Sequence, residues 1–433
     1  MEEVVAVRSS GSVAKEAQKN MENHINLRST PFEGIGGLAT AISLATRGHR
    51  ILILESASQI RDLGAGIQIA PNMRCILRRL GIEPAIEKSS IVLERIQVVR
   101  WQDGRVLSEG PVDHQYGEAA VIHRGDLQKA LIDRVLELDN IKIRLGATVV
   151  DIEFDRPAVF LKGGGMIYGD VVIAADGIKS AVRNKMFSDK SNRAQPSGDA
   201  AFRILIPRAK MLQDRETAKL INEPQAVRWI GPHRHVVGYP IRNHQLYNAV
   251  FVHPDKDSIG DSWTIPGTRE EIMETFGGWD PRLLKLISWS TRWRSLSHPD
   301  GPKLTGHHRP YVAQGAAQAL EDAAALGVIL SQAETVADIP CALQIYEKCR
   351  KERAEGIQQS GTENRITLHL PDGPEQVKRD EEFAASMQGA KSPDKWNDRE
   401  TQRLLWSYDA EDAAKKCWLE CTKRTESLPH ARL

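Results

Sequence analysis

Three glycines, Gly34, Gly36 and Gly37, head an Ala/Leu-rich run that ends at Ala45, and an acidic residue, Glu55, closes the apolar stretch Ile51-Leu52-Ile53-Leu54. Residues of these types at this spacing can hold a dinucleotide. Glycines without Cβ let backbone N–H groups at a helix start approach a pyrophosphate, where the positive end of the helix dipole favours negative charge. Glu55 lies 18 residues beyond Gly37, near the roughly 20-residue spacing at which a carboxylate accepts ribose hydroxyls. A ribose 2′-phosphate would be repelled there, so the pattern favours FAD or NAD over NADP. A second acidic residue, Asp176, followed by Gly177, closes the apolar run Val171-Val172-Ile173-Ala174-Ala175. Ligands of doubly wound sheets sit at the carboxyl ends of strands, so Asp176 is expected in the same crevice as Glu55.

The elements that must position these groups read as an α/β chain. The loop entry is incomplete: Phe32 stands two residues before Gly34, Glu33 adjoins it, and Pro31 ends a stretch with little strand character. No first strand is expected to run into the loop. Residues 1–31 read as a polar, disordered extension. Gly64-Ala65-Gly66-Ile67-Gln68-Ile69-Ala70-Pro71-Asn72 is a glycine-permitted loop leading into a helix, and residues 91–101 alternate as strands do before an Asp103-Gly104 turn. Strand patterns dominate residues 201–253 and predict a sheet with one apolar face, a lid over a substrate cavity. Residues 311–330 form a second small-residue helix start. Between Trp293 and Pro310 no strand is expected, because Pro299, Pro302 and Pro310 exclude a long central one.

At 433 residues the chain can bury a large core in two domains. The net charge of +1 gives no reason to expect nucleic-acid binding. The five scattered cysteines read as reduced thiols of a cytoplasmic protein, and no metal site is expected. No apolar run reaches the roughly 18 residues of a membrane span, so no membrane partner is expected.

Taken in order, these pieces resemble the group A FAD-dependent aromatic monooxygenases, in the salicylate-hydroxylase-like branch. The likeness covers residues 34–410. It rests on the glycine run, Glu55, residues 64–72, His123-Arg124-Gly125-Asp126-Leu127, Ala175-Asp176-Gly177-Ile178-Lys179-Ser180, Ala313-Gln314-Gly315-Ala316 and His369-Leu370-Pro371-Asp372-Gly373-Pro374-Glu375.

The resemblance implies an FAD-binding Rossmann-like domain of the glutathione-reductase type, with an inserted antiparallel-sheet substrate domain and a helical C-terminal tail. It assigns residues 32–90, 115–190 and 290–360 to the FAD domain, 91–114 and 191–289 to the substrate sheet, and 361–433 to the tail. It implies FAD held by Gly34, Gly36, Gly37, Glu55, Ala65, Gly66, Arg124, Asp176, Gly177, Gly315 and Ala316, with Arg203 and Tyr239 in the substrate cavity as the catalytic pair. NAD(P)H would reduce FAD, and O2 would supply one oxygen to an aromatic or polyketide-like small molecule and the other to water. A monomer or homodimer is expected.

The family's apolar strand ending in Gly-Asp, whose aspartate binds the flavin's ribityl chain, has no counterpart between Trp293 and Pro310. Two other readings therefore stand beside the active enzyme. One is a paralogue that is degenerate, or whose gene is wrongly delimited, with impaired FAD binding and no catalysis. The other is a different FAD-fold class, which fits the glycines but not residues 64–72 and 369–375.

Overall fold

The computed structural model describes residues 3–8, 34–58, 64–177, 180–187, 195–255, 264–265, 267–290, 294–300 and 310–426. Residues 24–33, on which the expectation about the loop entry falls, lie outside that set.

Two small-residue helices form the centre of the nucleotide-binding half. Ile35–Ala45 is buried on every side, with Leu38, Ala39, Ala41, Ile42 and Leu44 closed to solvent. It lies against Gly315–Leu330, and both helices carry small residues where they touch. A Cβ on Gly36 would sit 3.5 Å from the Cβ of Ala319, and one on Gly327 would meet the Ser43 hydroxyl at 2.2 Å. Since Gly36 faces Ala319 and Ser43 faces Gly327, the helices run in the same direction and their N-termini lie side by side.

A four-stranded sheet flanks this pair, in the order Val171–Ala174, Glu3–Arg8, Arg50–Glu55, Ile141–Arg144. Arg50–Glu55 and Ile141–Arg144 are parallel. Glu3–Arg8 occupies a central position and runs antiparallel to both neighbours. The expectation that residues 1–31 stand outside the fold is thus corrected for this segment. Glu-Val-Val-Ala-Val-Arg carries three valines, β-branched residues that suit a pleated strand. Its signal lies far upstream of Gly34, where a strand entering the loop directly would not be sought.

The second layer is an eight-stranded sheet. From edge to edge it contains Thr264–Ile265, Arg294–Asp300, Gln195–Pro207, Leu246–Pro254, Arg234–Ile241, Gln225–Gly231, Arg95–Arg100 and Val106–Pro111. Only the contact between Gln225–Gly231 and Arg95–Arg100 is parallel. One face carries Phe202, Ile204, Trp229 and Phe251, which pack with Ile272, Phe276, Leu283 and Leu286 of the helices Arg269–Thr275 and Pro281–Trp289. The opposite face carries Leu205, Asn248 and Tyr239 in one cross-strand row, and it turns toward the nucleotide-binding half.

Arg294–Asp300 corrects the expectation that no strand lies between Trp293 and Pro310. It pairs with Gln195–Pro207, Leu296 opposite Ala201, and the register shifts between Pro196 and Asp199. With one strongly apolar residue, Leu296, it has little strand signal of its own; the neighbouring ladder supplies what propensity does not. Residues 294–300 therefore extend the large sheet, whereas the expected boundary had placed them in the FAD domain.

The tail is helical, as expected, in Pro374–Ser386, Arg399–Trp406 and Ala410–Glu426, and it follows the long helix Ile339–Leu368. It is bound to the large sheet through a buried ion pair. Asp394 accepts two hydrogen bonds from Arg228 Nη1, at 2.7 and 2.6 Å, and a third from Asn364 at 3.0 Å. The Arg228 guanidinium lies 4.7 Å from the centre of the Trp396 ring. No helix among the described residues is long and apolar enough to cross a membrane.

Removing one partner of a buried pair leaves an uncompensated charge, at a cost of about 3–5 kcal/mol, whereas replacing both with apolar residues is often neutral. Asp394→Ala should therefore lower the thermal midpoint by several degrees, and Arg228→Met combined with Asp394→Leu should recover most of the loss in the same melting experiment.

Candidate active site

Glu55 ends its strand fully buried. Its Oε1 accepts from the Ala57 amide at 2.7 Å and the Ser56 hydroxyl at 3.2 Å, which fixes the carboxylate at the sheet edge. The neighbouring helix starts at Gly34 in extended conformation with no side-chain cap. A helix start of this kind can hold an anion on its first-turn N–H groups.

Asp176 lies on the same sheet edge, because Leu54 and Ala174 both pair with Val4. Its Oδ2 accepts from the Val182 amide at 3.2 Å, and Gly177 takes the left-handed φ of +72° that the turn requires. The carboxylate also borders a shallow hollow with Asp151 and Lys185. Asp176 shares an edge with Glu55 but is not among the groups gathered around Arg203.

The loop at residues 64–70 joins the two halves of the site. The Arg124 amide donates to the Ala65 carbonyl at 2.9 Å, and a Cβ on Gly64 would stand 3.0 Å from the Arg124 Cβ. Gly66 lies directly under the large sheet: a Cβ there would come within 2.5 Å of the Tyr239 ring and 2.7 Å of Asn248. Its N–H donates to Asn248 Oδ1 at 2.7 Å. Only glycine permits this approach.

Arg203 and Tyr239 lie on one sheet face, close enough for each to influence the other's charge. Burial is the main influence on the Arg203 guanidinium and pushes its pKa down; Tyr239 opposes this and Arg124 adds to it. Burial likewise raises the Tyr239 phenol, with Arg203 opposing. Arg203 Nε and Asn248 Nδ2 are buried donors with no hydrogen-bond partner, and among the described residues no carboxylate pairs with Arg203. Arg203 as a whole is half-buried, but a buried N–H without an acceptor is costly.

The start of the Gly315 helix forms the remaining wall. Tyr311 donates to Asp199 Oδ2 at 2.6 Å, Arg365 Nη2 donates to Asp199 Oδ1 at 2.8 Å, and Asn364 holds the Tyr311 carbonyl at 2.9 Å. Between these restraints and the helix, Ala313 takes a left-handed φ of +54°, a strained conformation for a residue with a Cβ. Gln314 accepts from Asn72 at 3.0 Å, and the same amide donates to Glu321 at 2.6 Å. In front of Gly315 the space is open, with nothing within 4 Å of where a Cβ would be, and Ala316 follows half-buried. Beside this start lies a small cavity bordered by Gln68, Leu93, Ile96, Ala313, Trp396 and Trp406.

Asn248, Asn72, Trp396 and Trp406 were not found from the sequence. Asn72 lay inside the 64–72 phrase. Asn248 required the strand register opposite Tyr239. The two tryptophans are apolar exceptions in a polar tail, the signal that was available.

These residues fit FAD. A helix start stands beside a buried carboxylate at the strand end, and a second helix start opens onto empty space at Gly315. The FAD-binding domain family matches residues 33–275. The chain is 37% identical over 398 residues to the FAD-dependent monooxygenase atnJ of an Arthrinium species, covering 88% of this chain and 94% of that one. The chain belongs to the FAD-dependent monooxygenases.

This monooxygenase is also 32% identical over 371 residues to the 3-hydroxybenzoate 6-hydroxylase of Klebsiella oxytoca, covering 80% and 89% of the two chains. Among solved structures, a salicylate hydroxylase substrate complex superposes with a TM-score of 0.71 at 22% identity, over 89% of this chain and 96% of that one. CtdE in complex with FAD and substrate gives 0.74 at 19%, over 91% and 98%. Both show the shared fold. FAD is the cofactor and NAD(P)H the reductant typical of the family.

Because a side chain at Gly66 must displace Tyr239 and Asn248, Gly66→Ala should lower kcat/KM by about a hundredfold, the cost of roughly 1 Å of misplacement at a reacting centre. Steady-state kinetics with the flavin content of each preparation measured alongside will check this.

Proposed function

We propose that this monooxygenase hydroxylates an anionic aromatic small molecule, with the substrate's oxyanion held by Arg203 and Tyr239. The supporting observation is the buried Arg203 Nε, which has no hydrogen-bond partner; among the described residues no carboxylate pairs with Arg203, and it shares its sheet face with Tyr239 and the unpartnered Nδ2 of Asn248. All three groups can donate to a phenolate or carboxylate, and a charge-assisted hydrogen bond is worth about 1.5–3 kcal/mol. The relatives named for hydroxybenzoate substrates support the same substrate class.

In this reading Gly34, Gly36 and Gly37 offer the helix start to the pyrophosphate and Glu55 accepts from the adenosine ribose. Ala65, Gly66 and Arg124 line the flavin's path, and Asp176-Gly177 borders it from the same sheet edge as Glu55. Gly315 and Ala316 direct a helix N-terminus at the ring, where the dipole favours negative charge. FAD reduced by NAD(P)H supplies the oxygen-activating chemistry when bound. Arg203 holds the substrate ring as its anion, the electron-rich form, Tyr239 fixes its direction, and the surrounding apolar residues keep water out. The protein acts in the cytoplasm as a monomer or homodimer.

A second reading, that flavin is held weakly, is favoured by one observation: the central strand Glu3–Arg8 runs opposite to its neighbours. It therefore does not deliver a strand end into Gly34. Flavin absorbance per chain after gel filtration separates the two readings, near-stoichiometric flavin supporting the first and its absence the second.

Arg203→Gln and Tyr239→Phe should each lower turnover at least tenfold while the bound-flavin spectrum persists, whereas Glu55→Arg should strip flavin. Loss of flavin from the Arg203 or Tyr239 variants would instead move those residues to the cofactor and overturn the substrate assignment.

A further inference from the structure

The cavity beside the Gly315 helix start is where the C-terminal segment reaches the site. Gln68 borders it from the strand Gly66–Ile69, Ile96 from the large sheet and Ala313 from the strained turn, while Trp396 and Trp406 close the far side. Gly66 and Gln68 lie two residues apart on one strand and so share a face. Gly66 meets Tyr239 on that face, which makes the cavity an extension of the proposed substrate position. Among the described residues no ionisable side chain lines it. The free space in it has room for little more than one water molecule.

Both indoles are buried, and Trp396 is fixed from several directions. Its amide donates to Asp394 at 3.0 Å and Arg228 packs on its ring. Asn364 bonds both Asp394 and the Tyr311 carbonyl, so the wall carrying Trp396 and the turn carrying Ala313 are held in one hydrogen-bonded unit. A wall so restrained cannot slide outward to admit a larger group.

We infer that Trp396 and Trp406 are specificity-determining residues: they limit the substituent that the substrate ring carries toward the tail to a neutral group of about methyl size. The inference rests on the substrate site proposed above. Replacing either indole with alanine opens the cavity and extends the tolerated substituent. A purely structural role for the tryptophans would lower activity on every substrate alike.

The test uses the flavin-loaded full chain with salicylate and its 4-methyl, 4-propyl and 4-pentyl homologues. Binding is followed by the perturbation of flavin absorbance, and turnover by hydroxylated product formed. Wild type should accept the parent and methyl compounds and lose at least thirtyfold in kcat/KM at propyl. Trp396→Ala and Trp406→Ala should reverse that order, with each additional buried methylene tightening binding about fourfold. Trp396→Phe, which keeps an aromatic filler, should fall between them.

An unchanged preference along the series in flavin-retaining variants would overturn the inference while leaving the proposed substrate site intact. Loss of flavin from the phenylalanine and alanine variants alike would assign the wall to the cofactor and overturn it too. Failure of wild type to bind any member would overturn the substrate site itself, and this inference with it.

Discussion

The contact on which the rest of the site depends is the side-by-side packing of Ile35–Ala45 and Gly315–Leu330. It is close enough that Gly327 must leave room for Ser43, while Gly36 faces Ala319 at a distance where a methyl would just make contact. Because the helices run in the same direction, two positive dipole ends open onto one side of the nucleotide-binding half. A third helix, Pro71–Arg79, is tied to them through Asn72. The tie ends on Glu321, a fully buried carboxylate. Burial alone would raise its pKa, but hydrogen bonds and charge from Arg353 and Arg350 outweigh that and hold it low. The ionised Glu321 thus secures the second helix start from beneath, leaving the open end of that helix available to a ligand.

The large sheet divides its work between its faces. Phe202, Trp229, Phe251 and their helical cover form a dry core that keeps the sheet rigid. The other face carries Arg203, Asn248 and Tyr239, whose polar atoms are left with unmet hydrogen-bonding capacity at Arg203 and Asn248. Stability alone would select against buried donors without partners. They share a face with Tyr239, whose ring packs over a glycine that no other residue can replace, and a ligand acceptor bound there would meet that unfilled capacity.

Much of this was legible from residue types because the nucleotide-binding half is built from local patterns. Gly34, Gly36, Gly37 and Glu55 sit within one helix-turn-strand stretch, the 64–72 phrase within one strand and helix start, and Gly315 at one turn-helix junction, where spacing along the chain fixes spacing in space. Arg203 and Tyr239 could be named but not placed together without the sheet register, which is a long-range property. The strands Glu3–Arg8 and Arg294–Asp300 were missed for a related reason. The first lies far from the helix it should precede, and the second has one strongly apolar residue and a proline. Both are strands because neighbouring ladders accept them, information that a local window does not hold.

The tail shows where local reading ends altogether. Asp394, Trp396 and Trp406 lie in a polar segment with helical spacing, and composition describes them as a solvated appendage. Yet Asp394 is as buried as any core residue and neutralises Arg228 from 166 positions away. That pairing costs desolvation of two charges, which Asn364 and the Trp396 amide offset by filling the remaining acceptor sites of the carboxylate. An ion pair in this position adds little stability over an apolar substitute, but it fixes the register of the tail against the sheet. The register matters because the indole two residues later borders the cavity. A slip of one residue would turn Trp396 away from the ring position, so the buried charge pair is best understood as setting the shape of the site from a segment that contributes no cofactor-binding pattern of its own.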